Sequence, residues 1–174
     1  TDACTDAIFL SLLWVAAQGR KPAVLAVPKH TYVGVVQAAE DLGYLIGWTD
    51  EKWQGSYELA PTRIIDSAKD FRREMYRYGT LTCVSFGASK RLKIGRGGAI
   101  LLDDGAAADW IRPRSMDGRT PGEDYKTPKF MAPGYRMNMT QEQAARGLEL
   151  LAHLDDDDTC SWEEYPDLSK ATWV

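Results

Sequence analysis

A compact α/β domain is the expectation for this chain, because apolar runs of two different lengths alternate along it. Residues 8–17 form a run with the length and composition of a buried helix. Residues 23–28, 43–50, 63–68, 79–86 and 99–102 are short apolar stretches bounded by turn residues, as buried strands are. The chain has 174 residues, 44% of them hydrophobic, which suits one domain with a sizeable core.

Composition narrows the function classes. The net charge of −4 shows no general nucleic-acid footprint, although it leaves room for a local basic patch. Cys4, Cys83 and Cys160 form no metal or disulfide pattern, so a reducing, cytoplasmic location is expected. No apolar run approaches the roughly 18 residues of a membrane span, and no secretory signal stands at the start. Because the chain opens on Thr1 instead of methionine, the natural protein is expected to extend beyond it.

Taken in order, Thr5 or Asp6 is the expected N-cap of the first helix, whose N-terminal N–H groups would make a ready phosphate site. The strand at 23–28 stops at Pro28, and a helix follows Tyr32 to about Leu42. Residues 51–62 are polar, with turn signals at Gln54-Gly55-Ser56 and Ala60-Pro61, and read as a loop. The strand at 63–68 carries Asp66 near its C-terminal edge, where ligands sit in α/β sheets; an N-cap for the next segment is the alternative. Residues 71–78 read as a charged, solvated face. A short helix is expected over 106–111, then a long irregular loop over 112–133 that carries Arg112, Arg114, Arg119, Lys126 and Lys129, enough charge for an anionic substrate. Thr140 caps a last helix to about Leu154, and Asp155 to Asp158 stop it in solvent.

The remaining stretch holds the sharpest chemistry. A strand ends at Phe86, a turn of small residues presents Lys90, and a glycine-rich passage leads into the strand from Ala99. A lysine held between two buried strands can lose its proton by desolvation and attack a carbonyl as a neutral amine; a solvated turn lysine is the plainer alternative.

Ser85-Phe86, then Lys90, then Gly95-Arg96-Gly97-Gly98 and a strand running into Asp103-Asp104 resemble the cofactor-lysine segment of the DegT-type sugar aminotransferases, fold-type-I enzymes that use pyridoxal phosphate. Other blocks follow in that family's order. Cys4-Thr5-Asp6-Ala7-Ile8 is similar to its phosphate segment, with Cys4 in place of glycine. Val27-Pro28-Lys29-His30-Thr31-Tyr32-Val33 is similar to the segment whose aromatic residue stacks on the pyridine ring, and Asp66-Ser67-Ala68 to the one whose aspartate meets the ring nitrogen. Gly134-Tyr135-Arg136 through Ala144-Ala145 resembles the segment that reaches across a dimer interface, with the family's Asn and Arg exchanged.

The resemblance implies a three-layer fold-type-I large domain over residues 1–154, its mostly parallel sheet reduced in size, with 155–174 as an acidic tail where the family has a small C-terminal domain. It implies pyridoxal 5'-phosphate as cofactor, Lys90 as the Schiff-base residue, Asp66 under the pyridine nitrogen and Tyr32 against the ring. Thr5, Asp6, Ser85 and, from a second subunit, Arg136 would hold the phosphate, which makes a homodimer with shared sites the expected assembly. Lys69 stands where the family has a Gln or His near the phenolic oxygen, and Arg96 where it usually has an acid, so a substrate or neighbour of opposite charge is expected.

Transfer of an amino group to a nucleotide-linked keto sugar is the activity the resemblance implies. The same electron sink permits decarboxylation or elimination on an amino acid or aminoacyl group. Size and charge placement also leave open a modified nucleotide or base in phage-type DNA. A non-catalytic binding module and a fragment of a longer enzyme, with an apolar face exposed, are the remaining readings.

Overall fold

The computed structural model describes residues 1–120, 122–124, 126–154 and 165–172. The elements are α1 (Cys4–Ala17), β1 (Leu25–Pro28), α2 (Val33–Asp41), β2 (Ile46–Thr49), β3 (Tyr57–Leu59), β4 (Ile64–Ser67), β5 (Leu81–Ser85), β6 (Gly98–Leu101), α3 (Gly105–Arg114) and α4 (Gln141–Leu151), then a 3₁₀ turn, Leu168–Lys170. The α/β character is as expected. Strand pairing, however, is evenly mixed and not mostly parallel: β1 pairs with β2 and β4 with β5 in parallel, while β3–β4 and β5–β6 are antiparallel. The link from β3 to β4 is too short for a crossover, and the link from β5 to β6 doubles back on itself, the Phe86 N–H donating to the Gly97 carbonyl.

Strands β3-β4-β5-β6 form one sheet and β1-β2 a second, joined where the Ala26 N–H donates to the Ala60 carbonyl at 2.9 Å. Tyr57 to Leu59, within the stretch that reads as a loop, form β3 because alternate residues Tyr57 and Leu59 are buried while Glu58 is exposed. Pairing against Ile64, Ile65 and Asp66 overrides the polar composition around them.

Helix α1 is the centre of the core. Ala7, Ile8, Leu10 and Leu12 are buried among Val35, Val36, Leu59, Ile64 and Cys83, and the Leu12 carbonyl accepts a 2.7 Å hydrogen bond from the Tyr44 hydroxyl. Val84, Phe86, Leu92 and Ile94 make a second cluster, against which Phe71, Met75 and Leu150 pack. Residues 71–78 thus contribute Phe71 and Met75 to packing while Arg72, Arg73 and Arg77 stay exposed.

α1 starts earlier than the sequence suggests. Its N-cap is Ala3, which makes no side-chain capping bond, and Thr5 and Asp6 lie inside the first turn. Tertiary pairing sets this start: Ala3 bridges to Gly97, and the Gly98 N–H donates to the Thr1 carbonyl at 3.0 Å. By contrast, α4 begins at the expected Thr140, in a capping box with Gln143, and α3 begins at an Asp104 cap. α3 runs beyond the expected Ile111 to Arg114, with Pro113 inside it.

The loop after α3 is tied down by its own backbone. The Tyr135 N–H donates to the Arg114 carbonyl, Met137 to Ser115 and Met131 to Gly118, and Phe9 meets the Tyr135 ring edge-on at 5.1 Å. Of the acidic tail, Asp155 to Asp158 lie outside the described residues. Residues 165–171 return to the core: Leu168 is buried, and its N–H donates to the Lys29 carbonyl at 2.9 Å. Phe130, Met131, Leu148 and Leu151 are exposed, and among the described residues no helix is long and apolar enough to cross a membrane.

The close approach of β6 to α1 gives a test. A Cβ built on Gly98 would lie 2.7 Å from both the Ala3 carbonyl carbon and the Cys4 nitrogen, with backbone on all sides. Gly98→Ala is expected to destabilise the fold by about 1–3 kcal/mol, as overpacking does, measured by urea unfolding.

Candidate functional site

The carboxyl ends of β4 and β5, the N-terminus of α1 and the start of α2 enclose a cavity of about 440 Å³. Thr5, Tyr32, Asp66, Lys69, Ser85 and Lys90 all line it. Residues as far apart in sequence as Thr5 and Lys90 meet there because β4 and β5 are parallel, so the loops that leave them emerge on one side.

Lys90 stands on the turn that follows β5, where its N–H donates to the Gly87 carbonyl at 3.0 Å. Gly87 sits between the side chains of Lys90 and Ser85: its Cβ position lies 3.6 Å from Lys90 Cγ and 3.8 Å from Ser85 Oγ. The glycine-rich passage then doubles back. Phe86 and Gly97 exchange a 2.9 Å backbone hydrogen bond, and the Gly95 N–H donates to the Phe86 carbonyl. Gly97 and Gly98 therefore clamp the lysine turn on one side and α1 on the other.

Asp66 forms the deep wall. It is 5% exposed; Oδ1 accepts from the Ala68 N–H at 2.9 Å and Oδ2 from the Tyr57 hydroxyl at 2.8 Å. Burial pushes its carboxyl above the usual range, while those two donors and the Lys90 charge pull the other way. Lys69, at 8% exposed, is also buried in the lining. Cys4 lines the cavity too, its thiol pushed well up by burial and by the nearby Asp66.

Tyr32 lies at the mouth, 54% exposed, at the N-cap of α2. Its ring and Thr5 both crowd Gly34, where an added Cβ would stand 2.9 Å from Thr5 Oγ1 and 2.9 Å from Tyr32 Cε1. The missing side chain of Gly34 is what lets the two approach.

Two expected residues lie elsewhere. Asp6 does not line the cavity; its carboxylate, raised by burial and by Asp2, takes the backbone N–H of Ala3 and completes the helix start. Arg136 is exposed and lines a separate open cavity of about 550 Å³ with Asp117, Arg119, Lys126 and Phe130. Arg96 has a neighbour of opposite charge, Asp2, at 2.5 Å.

Sequence reasoning missed the supports. Tyr57 and Thr31 stand behind Asp66, with 2.5 Å between Thr31 Oγ1 and the Tyr57 oxygen. Tyr165 lines the cavity from the C-terminal segment; its carbonyl meets His30 Nδ1 at 2.7 Å and its ring stacks on Trp53 at 6.1 Å. Only the alternation of Tyr57, Glu58 and Leu59 could have hinted at the first, and no local signal places Tyr165.

The residues present fit pyridoxal phosphate. An amine and a helix N-terminus, of the kind that takes phosphates, share one cavity with a buried carboxylate and the Thr5 and Ser85 side chains.

Two expected outcomes follow. Without a ligand, burial raises the Asp66 pKa on folding, so the ionised carboxylate costs stability at pH above that raised pKa, and the cost fades as pH falls through it. Asp66→Asn is therefore expected to raise the melting temperature at pH 7 and to differ little from the parent at low pH, by calorimetry. Gly34→Ala is expected to displace Thr5 and Tyr32 and weaken pyridoxal phosphate binding at least about tenfold while the circular dichroism spectrum is kept.

Comparison with known proteins agrees with this geometry. A sequence profile of the DegT/DnrJ/EryC1/StrS aminotransferase family matches residues 51–159. The spore coat polysaccharide biosynthesis protein SpsC of Bacillus subtilis (strain 168) is 40% identical over 87 residues, 45% of this chain and 22% of that protein. Among solved structures, sugar aminotransferase CalS13 from Micromonospora echinospora superposes with a TM-score of 0.67 at 19% identity, over 88% of this chain and 55% of that one. NtdA from Bacillus subtilis, with bound cofactor PMP, gives 0.68 at 21% identity, over 88% and 43%. The chain thus spans about half the length, or less, of these relatives. With the profile covering more than half of its residues, the chain belongs to the DegT/DnrJ/EryC1/StrS aminotransferase family.

Proposed function

We propose that this chain binds pyridoxal 5'-phosphate in the cavity between α1 and the carboxyl ends of β4 and β5, and serves transfer of an amino group. The observation that carries this reading is the meeting of Lys90, Asp66, Ser85 and Thr5 on one cavity. When bound, the cofactor supplies an electron sink for the carbon that bears the amino group.

Each residue then has a task set by its position. The Lys90 amine would hold the cofactor through its aldehyde, and Nζ, when free, would take the proton that leaves the substrate carbon. The Asp66 carboxylate would accept the ring N–H and so fix the ring's orientation. Tyr32, at the mouth, covers a ring face and keeps water from it. Ser85, Thr5 and the first-turn N–H groups of α1 hold the phosphate. Asp6 acts there indirectly, by fixing the start of α1. The Lys69 ammonium stands for the phenolic oxygen, a cation where a Gln or His is neutral.

For substrate, the name of one relative, a sugar aminotransferase, supports a sugar, and the basic residues of the loop support an anionic group attached to it, such as a nucleotide. Arg136 lies outside its own cavity, which supports a homodimer in which it reaches the partner's phosphate.

Two measurements test this. Purified protein with added pyridoxal phosphate is expected to show a yellow absorption band that borohydride fixes onto Lys90, absent in Lys90→Ala; no band in the parent protein overturns the reading. Mixing Lys90→Ala with Arg136→Ala is expected to restore about half of one set of sites through hybrid dimers. Activity no greater in the mixture than in its parts would show that Arg136 serves its own chain.

A further inference from the structure

The mechanism leaves unused two buried hydroxyls beside the deepest carboxylate. Thr31 is 1% exposed, Tyr57 4% and Asp66 5%, and the three form a continuous chain: 2.5 Å from Thr31 Oγ1 to the Tyr57 oxygen, then 2.8 Å to Asp66 Oδ2. We propose that Tyr57, steadied by Thr31, is a positioning residue that holds the Asp66 carboxylate as the acceptor for the cofactor's ring nitrogen. The proposal rests on the cofactor reading above.

Strand register explains why the phenol reaches its target. Tyr57 and Asp66 are directly opposed in the antiparallel pair β3–β4, so their side chains leave the sheet on the same face. The Tyr57 ring is fixed from behind by Trp53, with centroids 5.0 Å apart, and the Trp53 indole N–H is anchored on the His30 carbonyl at 2.9 Å. The His30 carbonyl in turn belongs to the segment that carries Thr31.

Hydrogen-bond arithmetic gives the chain a direction. A phenol has one O–H, and with Asp66 ionised that O–H donates to Asp66 Oδ2. Thr31 must then donate its own to the Tyr57 oxygen, so both hydroxyl dipoles point toward the carboxylate. The Ala68 N–H holds the other oxygen at 2.9 Å. Each oxygen is thereby held by one protein donor and keeps a second lone pair for the cavity that Asp66 lines. A Phe would fill the Tyr57 volume and pair equally well in β3, and a Val would fill the Thr31 volume between β1 and α2. Two buried hydroxyls serve the carboxylate, whose burial they partly offset.

The test separates this role from simple packing. Dissociation constants are measured by quenching of tryptophan fluorescence for two ligands: pyridoxal phosphate, and its analogue in which a ring C–H replaces the pyridine nitrogen. Both keep the aldehyde and the phosphate, so only the group that faces Asp66 differs. Tyr57→Phe is expected to weaken pyridoxal phosphate about tenfold and the analogue less than about twofold, with Thr31→Val showing the same contrast at about threefold. Equal losses for both ligands, or unchanged affinity for pyridoxal phosphate, would overturn the proposal. Thermal unfolding of each variant without ligand checks the fold, and should Tyr57→Phe fail to fold, the Thr31→Val contrast decides alone. Failure of the parent protein to bind pyridoxal phosphate would instead overturn the cofactor reading, a result distinguishable from any difference between variants.

Discussion

The backbone contact between Gly98 and Ala3–Cys4 is the constraint on which the site depends. With no Cβ at Gly98, the start of β6 lies against the first residues of α1, and the Thr1 and Gly98 backbones hydrogen-bond in both directions, at 2.8 and 3.0 Å. The same glycine-rich passage pairs with Phe86 beside the lysine turn. One short segment therefore fixes the distance between a helix N-terminus and the turn that carries Lys90. The core of α1 against β4, β5 and β6 supplies the adhesion that makes this contact permanent.

Around that frame the chain keeps opposite charges in a dry place. Asp66 and Lys69 are almost fully buried in the lining, and Lys90 is close enough to act on the Asp66 carboxyl. Low solvent access strengthens each of these interactions and makes an unpartnered group costly, a cost that the Tyr57 hydroxyl and the Ala68 N–H offset at Asp66. The C-terminal segment takes part as well. Through Leu168, the Tyr165 carbonyl and the Tyr165–Trp53 stack, residues far along the chain close the wall next to β1.

Departures from the family pattern have local physical answers. Arg96, where an acid is usual, pairs with Asp2, so charge is exchanged within the chain at that point. The polar stretch that reads as a loop contains β3 and delivers Tyr57 to Asp66. The loop rich in proline and arginine is held by backbone hydrogen bonds around Gly118, whose Cβ would overlap the Ala132 carbonyl oxygen.

What the sequence determined by itself is whatever depends on near neighbours. Apolar run length gave the helix and strand positions, side-chain chemistry gave the Thr140 cap, and the order of short motifs pointed to Lys90, Asp66, Tyr32, Thr5 and Ser85. Tertiary structure alone decided the mixed pairing of the strands, the start of α1 at Ala3 and the placement of Asp6 as a support outside the cavity. It alone brought Tyr57, Thr31 and Tyr165 to the site. The physical reason is that a cap or a strand is encoded by residues a few positions apart. Which strand edge finds which partner, and which hydroxyl is buried against which carboxylate, is settled by packing between segments separated by tens of residues or more.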